Sequence, residues 1–204
     1  GVDFTILGEA EMCNGDLARR SGNEFLFQML AEMNVATLRE AGVQKIVTAC
    51  PHCFHTLGKE YGDYGGDFEV IHHTQLLAEL REQGKLKVSD RNTTLTYHDP
   101  CYMGRIDDSH EAPRKALGGE ILEMHRCRDK TFCCGAGGAR MWVEEDADKR
   151  VNLIRAQEAL DTGADEVGTG CPFCMTMLTD GMKTLGSETQ VRDISEIMVE
   201  QLEA

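Results

Sequence analysis

The sequence predicts an α/β fold of two repeated modules, each a small, mostly parallel sheet flanked by helices. Strand-like and helix-like segments alternate along the 204 residues, an order typical of parallel sheets. A Cys-Pro-x-Cys motif occurs twice, at Cys50 to Cys53 and at Cys171 to Cys174, so that equivalent positions are offset by 121 in residue number. Each motif follows a strand-like segment, where α/β folds place their ligand-binding loops.

Other residues repeat at nearly the same distance, and repetition at a fixed offset indicates duplicated units. Cys13 and Cys133 are offset by 120 residues. Two further pairs, Val70 with Val191 and Gln75 with Glu196, are each offset by 121. We therefore predict a first module over residues 1–92 and a second over 93–204. A counterpart of Cys101 would precede the first residue, so we expect the recorded chain to be a fragment that lacks the N-terminal part of its first module.

In the first module, apolar residues such as Leu26 and Leu30 recur at helical spacing, and Gly42 fits the C-terminal end of that helix. A second helix is expected to end before Gly84. The predicted strands are 2–8, 45–48 and 68–71, and the predicted helices are 23–41 and 74–83.

The second module repeats this order. Asp193 and Glu196 are three residues apart, the spacing of a helix capping pair, and Gly163 fits a helix end. The predicted strands are 94–97, 120–124 and 166–168, and the predicted helices are 113–117, 145–160 and 193–202.

The composition excludes several classes of protein. The net charge of −14 argues against nucleic acid, which is bound mainly through Lys and Arg. No apolar run approaches the ~18 residues of a membrane span, and no basic region followed by an apolar one opens the chain. Nine cysteines that include Cys-x-x-Cys pairs favour metal or redox chemistry over a secreted disulfide framework. We expect a cytoplasmic location.

Five thiols of the second module stand at spacings typical of metal ligands. There are 31 residues between Cys101 and Cys133, Cys134 is adjacent, and 36 residues lie between Cys134 and the motif that holds Cys171 and Cys174. Iron in iron–sulfur clusters is held by cysteine thiolates. Structural zinc is the alternative, but zinc takes four ligands, and five thiols exceed that number.

The first module offers fewer thiols. Cys13, Cys50 and Cys53 are candidate ligands, and Asn14 stands where the second module has Cys134. With the presumed missing cysteine, four thiols would suit an ordinary cubane cluster, whereas three would leave one iron open. Cys-Pro-His-Cys is also the active-site spacing of thiol oxidases, an alternative that leaves the repeat and the adjacent cysteine pair unexplained.

Other polar residues near these motifs have two interpretations. His52 and His98 could form hydrogen bonds or exchange protons near a cluster, but an ordinary, satisfied loop histidine is favoured for each. Arg105 and Arg140 either offset negative charge or form surface ion pairs. The remaining candidates are assigned structural roles: His72 and His73 hold the module together, and Cys127 is a small core or surface residue.

Longer stretches carry a resemblance to a known family. These stretches are residues 13–24, residues 98–105, which begin His-Asp-Pro-Cys, and residues 133–142, which begin Cys-Cys-Gly. They resemble the cysteine-rich CCG domain of the B-type subunit of heterodisulfide reductase and of its relatives in glycolate, lactate and glycerol-3-phosphate oxidoreductases. The chain is most similar to the membrane-associated iron–sulfur oxidoreductases that pass electrons from electron-transfer flavoprotein to quinone.

The resemblance implies a noncubane [4Fe-4S] cluster in the second module and a second [4Fe-4S] cluster in the first. The implied ligands of the noncubane cluster are Cys101, Cys133, Cys134, Cys171 and Cys174. Gly135, Gly137 and Gly138 would let the backbone approach and donate N–H groups to sulfur. The resemblance further implies a flavoprotein or iron–sulfur protein as electron donor and a quinone or disulfide as acceptor. It also implies that the full-length protein lies at the inner face of the membrane. No residue receives a catalytic role. A zinc-stabilised interaction module and a thiol–disulfide oxidoreductase remain alternatives.

Overall fold

The computed structural model describes residues 2–89, 91–146 and 149–202 and has a mixed α/β architecture. Short parallel strands alternate with helices, as the sequence predicts. The strands are β1 (Lys45–Thr48), β2 (Glu69–His72), β3 (Leu95–His98), β4 (Glu166–Thr169) and β5 (Gln190–Asp193). The helices are α1 (Asp16–Arg20), α2 (Glu24–Glu40), α3 (Pro51–His55), α4 (His73–Glu82), α5 (Glu111–Leu117), α6 (Val151–Leu160), α7 (Pro172–Thr184) and α8 (Ile194–Val199).

Two small sheets organise the described chain. β1 pairs with β2 in one sheet, and the other has the order β3-β4-β5. All of these pairings are parallel. Because parallel strands end at the same edge of a sheet, the loops that follow β1 and β2, and those that follow β3, β4 and β5, gather on one side of each sheet.

The two sheets repeat the same element order. β1 and β4 begin 121 residues apart, and so do β2 and β5, α3 and α7, and α4 and α8. The pairing register repeats as well, since Thr48 lies opposite His72 and Thr169 lies opposite Asp193. The fold prediction of two pseudo-repeated α/β units is therefore confirmed at the level of strands and helices.

Packing of the core joins the two halves of the chain. Ala78 of α4, in the first half, belongs to the same buried cluster as Leu95, Ala116 and Ile197 of the second half. A separate cluster in the first half packs α2 against Tyr61. A third cluster buries α6 and α7 against each other around Leu178. The strands β3 and β4 are buried along their whole length, so the second half contains the larger part of the buried sheet.

Several predicted elements are correct within one or two residues. Asn23 caps α2, and its side chain accepts a hydrogen bond from the Leu26 N–H. Asp193 and Glu196 form the predicted capping box of α8. Gly42 and Gly84, with φ of 68° each, follow the ends of α2 and α4 in the left-handed conformation that favours glycine.

Two predicted strands are wrong. Residues 2–7 form irregular chain that leads into a 3-10 turn at Gly8–Ala10, and Phe4 and Ile6 are exposed. The alternating apolar pattern there has no neighbouring strand to pair with among the described residues. In the predicted strand 120–124, Ile121 alone forms a bridge, to Leu95, because the chain touches the edge of β3 at one residue and then leaves it.

The predicted helix 145–160 begins later than expected. α6 starts at Val151, and Arg150 before it has an extended backbone with ψ of 127°. Part of the predicted first turn, residues 147–148, lies outside the described residues. The pattern analysis missed α1, α3, α7 and β5. None of the described helices combines the length and apolar character needed to cross a bilayer.

Candidate metal centre at the strand ends

The two Cys-Pro-x-Cys motifs form the same local structure. Cys50 and Cys171 are extended residues that precede α3 and α7, and a proline opens each helix. A residue before proline avoids the helical conformation, and proline is well suited to the first helical position. The sequence Cys-Pro thus sets a strand-to-helix turn, with the first thiol before the helix and the second, Cys53 or Cys174, in its first turn.

The five second-half thiols converge at the ends of β3 and β4, and we call them the five-thiol group. Their pKa shifts link them in one series, in which each thiol shifts the pKa of the next: Cys101 with Cys133, Cys133 with Cys134, Cys134 with Cys174, and Cys174 with Cys171. Cys134, Cys171 and Cys174 are buried, and the other two are partly buried. Residues that lie up to 73 positions apart in the chain are therefore brought into one site.

The pKa values of neighbouring thiols in this group are shifted in opposite directions. Hydrogen bonding to Cys133, together with burial, raises the pKa of Cys101. Hydrogen bonds from Cys101 and Cys134 lower the pKa of Cys133, and backbone N–H groups of Gly135 and Gly137 add to this effect. Five thiolates in one site, three of them buried, would repel one another unless a cation compensated them. The donor set therefore fits a metal centre that takes thiolate ligands, iron–sulfur clusters included.

The glycine-rich loop after the cysteine pair directs backbone donors at the thiols. The Gly135 N–H lies 3.2 Å from Sγ of Cys133, and the Ala136 N–H donates to Cys134, a donor that the sequence analysis did not foresee. Gly135 has φ of 98°, and a side chain there would press against Met177 and Val151. Gly138 also has a positive φ, of 66°, but open space surrounds it.

Cys50 of the first half lies against the five-thiol group. Cys171 of the other motif and Cys53 both act on the Cys50 thiol. These interactions lower the pKa of Cys50, whereas hydrogen bonding to Cys50 and burial raise the pKa of Cys53. The seven thiols of Cys50, Cys53 and the five-thiol group therefore form one connected set.

Cys13 repeats the local geometry of Cys133. The Gly15 N–H lies 3.5 Å from its Sγ, as the Gly135 N–H does from Cys133, but Cys13 is exposed. The Asn14 side chain, in the place of Cys134, accepts a hydrogen bond from the Asp16 N–H. Cys13 and Cys53 both act electrostatically on Tyr61, whose pKa is raised chiefly by burial. The first half thus brings Cys50 and Cys53 together and leaves Cys13 open to solvent.

His52 packs between the two halves. Its Nδ1 lies 3.7 Å from Sγ of Cys50, and its ring contacts Tyr102 and Phe173 edge to face. Burial opposes protonation of His52, but the hydrogen bond with Cys50 and the negative charges around the ring together outweigh burial and raise the pKa of His52.

His98 ends β3 and is fully buried. Its Nδ1 accepts a hydrogen bond of 2.9 Å from Nε of Arg155. One ring nitrogen of His98 and the sulfur atoms of Cys134 and Cys174 all lie within 4.8 Å of one another. Burial and the Arg155 charge hold the pKa of His98 well below its usual range. The sequence analysis missed Arg155, because no local pattern in α6 distinguishes it from a surface arginine.

The other polar candidates lie apart from the thiols. Arg105 donates to the Thr131 carbonyl. Arg140 forms an ion pair with Glu145 at the surface, which agrees with the surface ion-pair interpretation. Cys127 is partly buried, and its pKa is raised by burial and by Glu123 and Asp99.

His72 and His73 make structural contacts. His72 is fully buried, its Nδ1 lies 2.7 Å from the Thr74 hydroxyl, and burial lowers its pKa to about 3. Nε2 of His73 lies 3.0 Å from Oδ1 of Asp193, so this histidine links the ends of β2 and β5.

Comparison with known proteins gives the same family over nearly the whole chain. The family model described as a cysteine-rich domain, CCG, matches residues 1–58 and 95–179. A probable iron–sulfur-binding oxidoreductase, FadF, of Bacillus subtilis is 44% identical over 99% of this chain and 30% of its own length. The EtfAB:quinone oxidoreductase of Syntrophomonas wolfei is 42% identical over 100% of this chain and 30% of its own.

A third relative comes from Methanosarcina barkeri. It is the D-type subunit of the dihydromethanophenazine:CoB–CoM heterodisulfide reductase, and it is 38% identical over 99% of this chain and 52% of its own length. This chain therefore spans between about a third and a half of these relatives.

Proposed function

The chain belongs to the CCG cysteine-rich domain family, and we propose that it is the iron–sulfur, electron-transferring part of a heterodisulfide-reductase-type oxidoreductase. The observation that carries this proposal is the five-thiol group, a set of cysteines gathered at the ends of two buried strands, in which each thiol shifts the pKa of the next. The relatives that cover this chain almost completely are named as oxidoreductases, which supports the same function.

The second half would hold the principal cofactor. We assign Cys101, Cys133, Cys134, Cys171 and Cys174 as its ligands and propose a noncubane [4Fe-4S] cluster, since five thiols with an adjacent pair exceed the four of an ordinary cluster. When bound, such a cluster supplies one-electron transfer. The chain's own contribution is to exclude water through the buried thiols and to direct N–H groups of the glycine loop, Gly135, Gly137 and Gly138, toward sulfur, which tunes the potential.

A second [4Fe-4S] cluster is proposed for the first half, at Cys13, Cys50 and Cys53. The contact between Cys50 and Cys171 supports a position for this site beside the other. Short separation favours electron passage between two centres, so the contact supports a path through both halves. We also propose that the chain is a duplicated pair of modules, 1–92 and 93–204, with α4 packed across the boundary.

For the electron path, we propose electron-transfer flavoprotein as donor and quinone as final acceptor. The support is the name of the Syntrophomonas relative, an EtfAB:quinone oxidoreductase. A flavoprotein donor and a quinone acceptor place the full-length protein at the inner face of the membrane. The whole-protein activity extends beyond this chain, which spans 30% of that relative.

A disulfide reductase is the second candidate. The heterodisulfide reductase relative from Methanosarcina covers 99% of this chain, and the seven connected thiols at the meeting of the two motifs offer a site for sulfur chemistry. A zinc-stabilised module and a thiol–disulfide oxidoreductase are less well supported, because neither needs five thiols in one group.

One experiment separates these functions. Protein prepared and kept under anaerobic conditions is examined by absorption spectroscopy and by counting of iron and acid-labile sulfide. We expect a brown protein with broad absorption near ~400 nm and with iron and sulfide in equal numbers. Zinc without sulfide would replace the proposal with the zinc module. Reduction by electron-transfer flavoprotein, compared with reduction by a dithiol, then distinguishes the flavoprotein path from the disulfide path.

A further inference from the structure

His98 has a buried ring nitrogen without a hydrogen-bond partner. The residue is fully buried at the end of β3, and the Thr169 hydroxyl donates to its carbonyl from the neighbouring strand, at 3.2 Å. Its Nε2 atom has no hydrogen-bond partner among the described residues. A buried polar atom without a partner is destabilising, so this Nε2 points to a hydrogen-bond acceptor beside it.

Arg155 determines which ring nitrogen carries the proton. Its guanidinium can only donate, and its Nε–H donates to Nδ1 of His98 at 2.9 Å. Nδ1 therefore uses its lone pair, and the proton of the neutral ring sits on Nε2. Arg155 is itself held by two further contacts, to the Arg126 carbonyl at 2.9 Å and to Glu158 at 3.0 Å.

The neighbours of the ring identify the acceptor. A ring nitrogen of His98 lies within 4.8 Å of the sulfur atoms of both Cys134 and Cys174. We propose that the Nε2–H group of His98 donates a hydrogen bond to sulfur of the metal centre at these two cysteines, and that Arg155 fixes the tautomer that carries this proton. The inference rests on the proposed function, because it assumes a sulfur-ligated centre in the five-thiol group.

The same geometry argues against His98 as an iron ligand. Ligation through Nε2 requires the lone pair of that atom, so the ring would have to lose its last proton while Nδ1 still accepts from Arg155. A donated hydrogen bond instead stabilises the more negative, reduced form of a cluster and raises its potential. His98 is thus a positioning and tuning residue, and Arg155 acts through it.

The test compares His98→Phe with His98→Gln, because glutamine keeps an N–H near the place of Nε2. In anaerobic protein we expect both variants to hold as much iron and sulfide as the unaltered chain. For His98→Phe, the ratio of reduced to oxidised cluster at a fixed potential should fall about tenfold, or about 59 mV for a one-electron couple. His98→Gln should restore most of this ratio, and the exposed His125→Phe should leave it unchanged.

Arg155 is tested in the same titration. Arg155→Met, like His98→Phe, should lower the ratio of reduced to oxidised cluster. In a chain that already carries His98→Phe, the Arg155→Met substitution should have no further effect. A full additional effect in the double variant would overturn the role assigned to Arg155.

Three results would overturn the assignment of His98. Two of them concern His98→Phe: loss of iron, or an unchanged cluster potential. The third is a strongly coupled ring nitrogen in pulsed EPR of the unaltered chain labelled with 15N-histidine, because a direct iron ligand would give that coupling. The last measurement needs no variant and so remains decisive if His98→Phe does not fold. Absence of iron and sulfide from the unaltered chain would instead overturn the proposed function itself.

Discussion

The rings of His52 and Phe173 meet edge to face, with their centroids 5.1 Å apart and their planes at 90°. These residues hold the same position in the two Cys-Pro-x-Cys motifs, and the leading residues of the motifs, Cys50 and Cys171, contact each other. A contact between equivalent residues of two units is what a two-fold interface produces. We therefore expect a local pseudo-twofold axis to relate the two motifs.

This contact leads to a prediction about the two halves. Superposition of residues 43–83 on residues 164–204 in an experimental structure should bring Cys50 onto Cys171, because strands, helices and register repeat at the same offset. The measurement is the distance between the two Cα atoms after superposition. Positions that do not coincide would show that the sequence repeat is not a structural duplication.

The adjacent cysteine pair should be essential to the second site. Cys134→Ser removes a buried thiol that links Cys133 to Cys174, so we expect loss or remodelling of the second cluster and loss of electron throughput. Cys127→Ser is the matched control, since Cys127 lies beside Glu123 and Asp99 and outside the five-thiol group. Iron counting and EPR spectra measure the outcome, and equal loss in both variants would mean that the ligands are wrongly assigned.

The first site should hold iron less tightly than the second. Cys13 is exposed, whereas Cys171 is buried, and a site with fewer thiols and open access releases metal more readily. We expect a chelator to remove the iron of the first site quickly. Cys13→Ser should abolish only this rapidly removed fraction. Cys171→Ser should remove the larger, slowly released fraction. The prediction fails when Cys13→Ser removes as much iron as Cys171→Ser.

Acid should weaken the link between β2 and β5. Burial disfavours the Asp193 carboxylate, but hydrogen bonds from His73 and Ser195 outweigh burial and lower its pKa. A carboxyl whose pKa is lower in the folded state than in the unfolded state stabilises the fold at pH values above its unfolded-state pKa of about 3.9. This stabilisation is lost as the pH falls through the folded-state pKa.

Asp193→Asn keeps a capping side chain but removes the charge, and it should cost about 1 kcal/mol at pH 7. Urea unfolding at several pH values is the measurement, and the difference between the two proteins should shrink below about pH 4. The exposed Asp63→Asn serves as control. A difference that stays constant from pH 7 to pH 3 would exclude the carboxylate as its source.

The close contact of α6 and α7 should tolerate no extra volume. A side chain at Gly181 would lie 2.8 Å from Cβ of Ala156 and 3.0 Å from the Asn152 carbonyl. Overpacking costs about 1–3 kcal/mol, and the better helix propensity of alanine offsets about 1 kcal/mol of this. We expect Gly181→Ala to lower the free energy of unfolding, measured in urea. Gly62→Ala, which meets nothing within 4 Å, is the control, and equal values for the two would contradict the packing argument.

Much of the fold follows from local sequence. The strand-to-helix turns at Cys50 and Cys171 follow from the proline after each cysteine, and the end of α2 follows from Gly42. The predicted strand 2–8 is wrong because an alternating apolar pattern forms a strand only where a partner edge is available. β5 was missed because its pairing with β4, and not its composition, makes it a strand.

The sequence by itself determined the candidate ligands, the repeat and the position of Cys50, Cys101 and Cys171 just after a strand, because these depend on residue type and on neighbours a few positions away. The tertiary structure alone decided which thiols meet. The contact of Cys50 with Cys171 spans 121 residues, and that of His98 with Arg155 spans 57. Such contacts depend on how whole helices pack against a sheet, and no local pattern of residues encodes that packing.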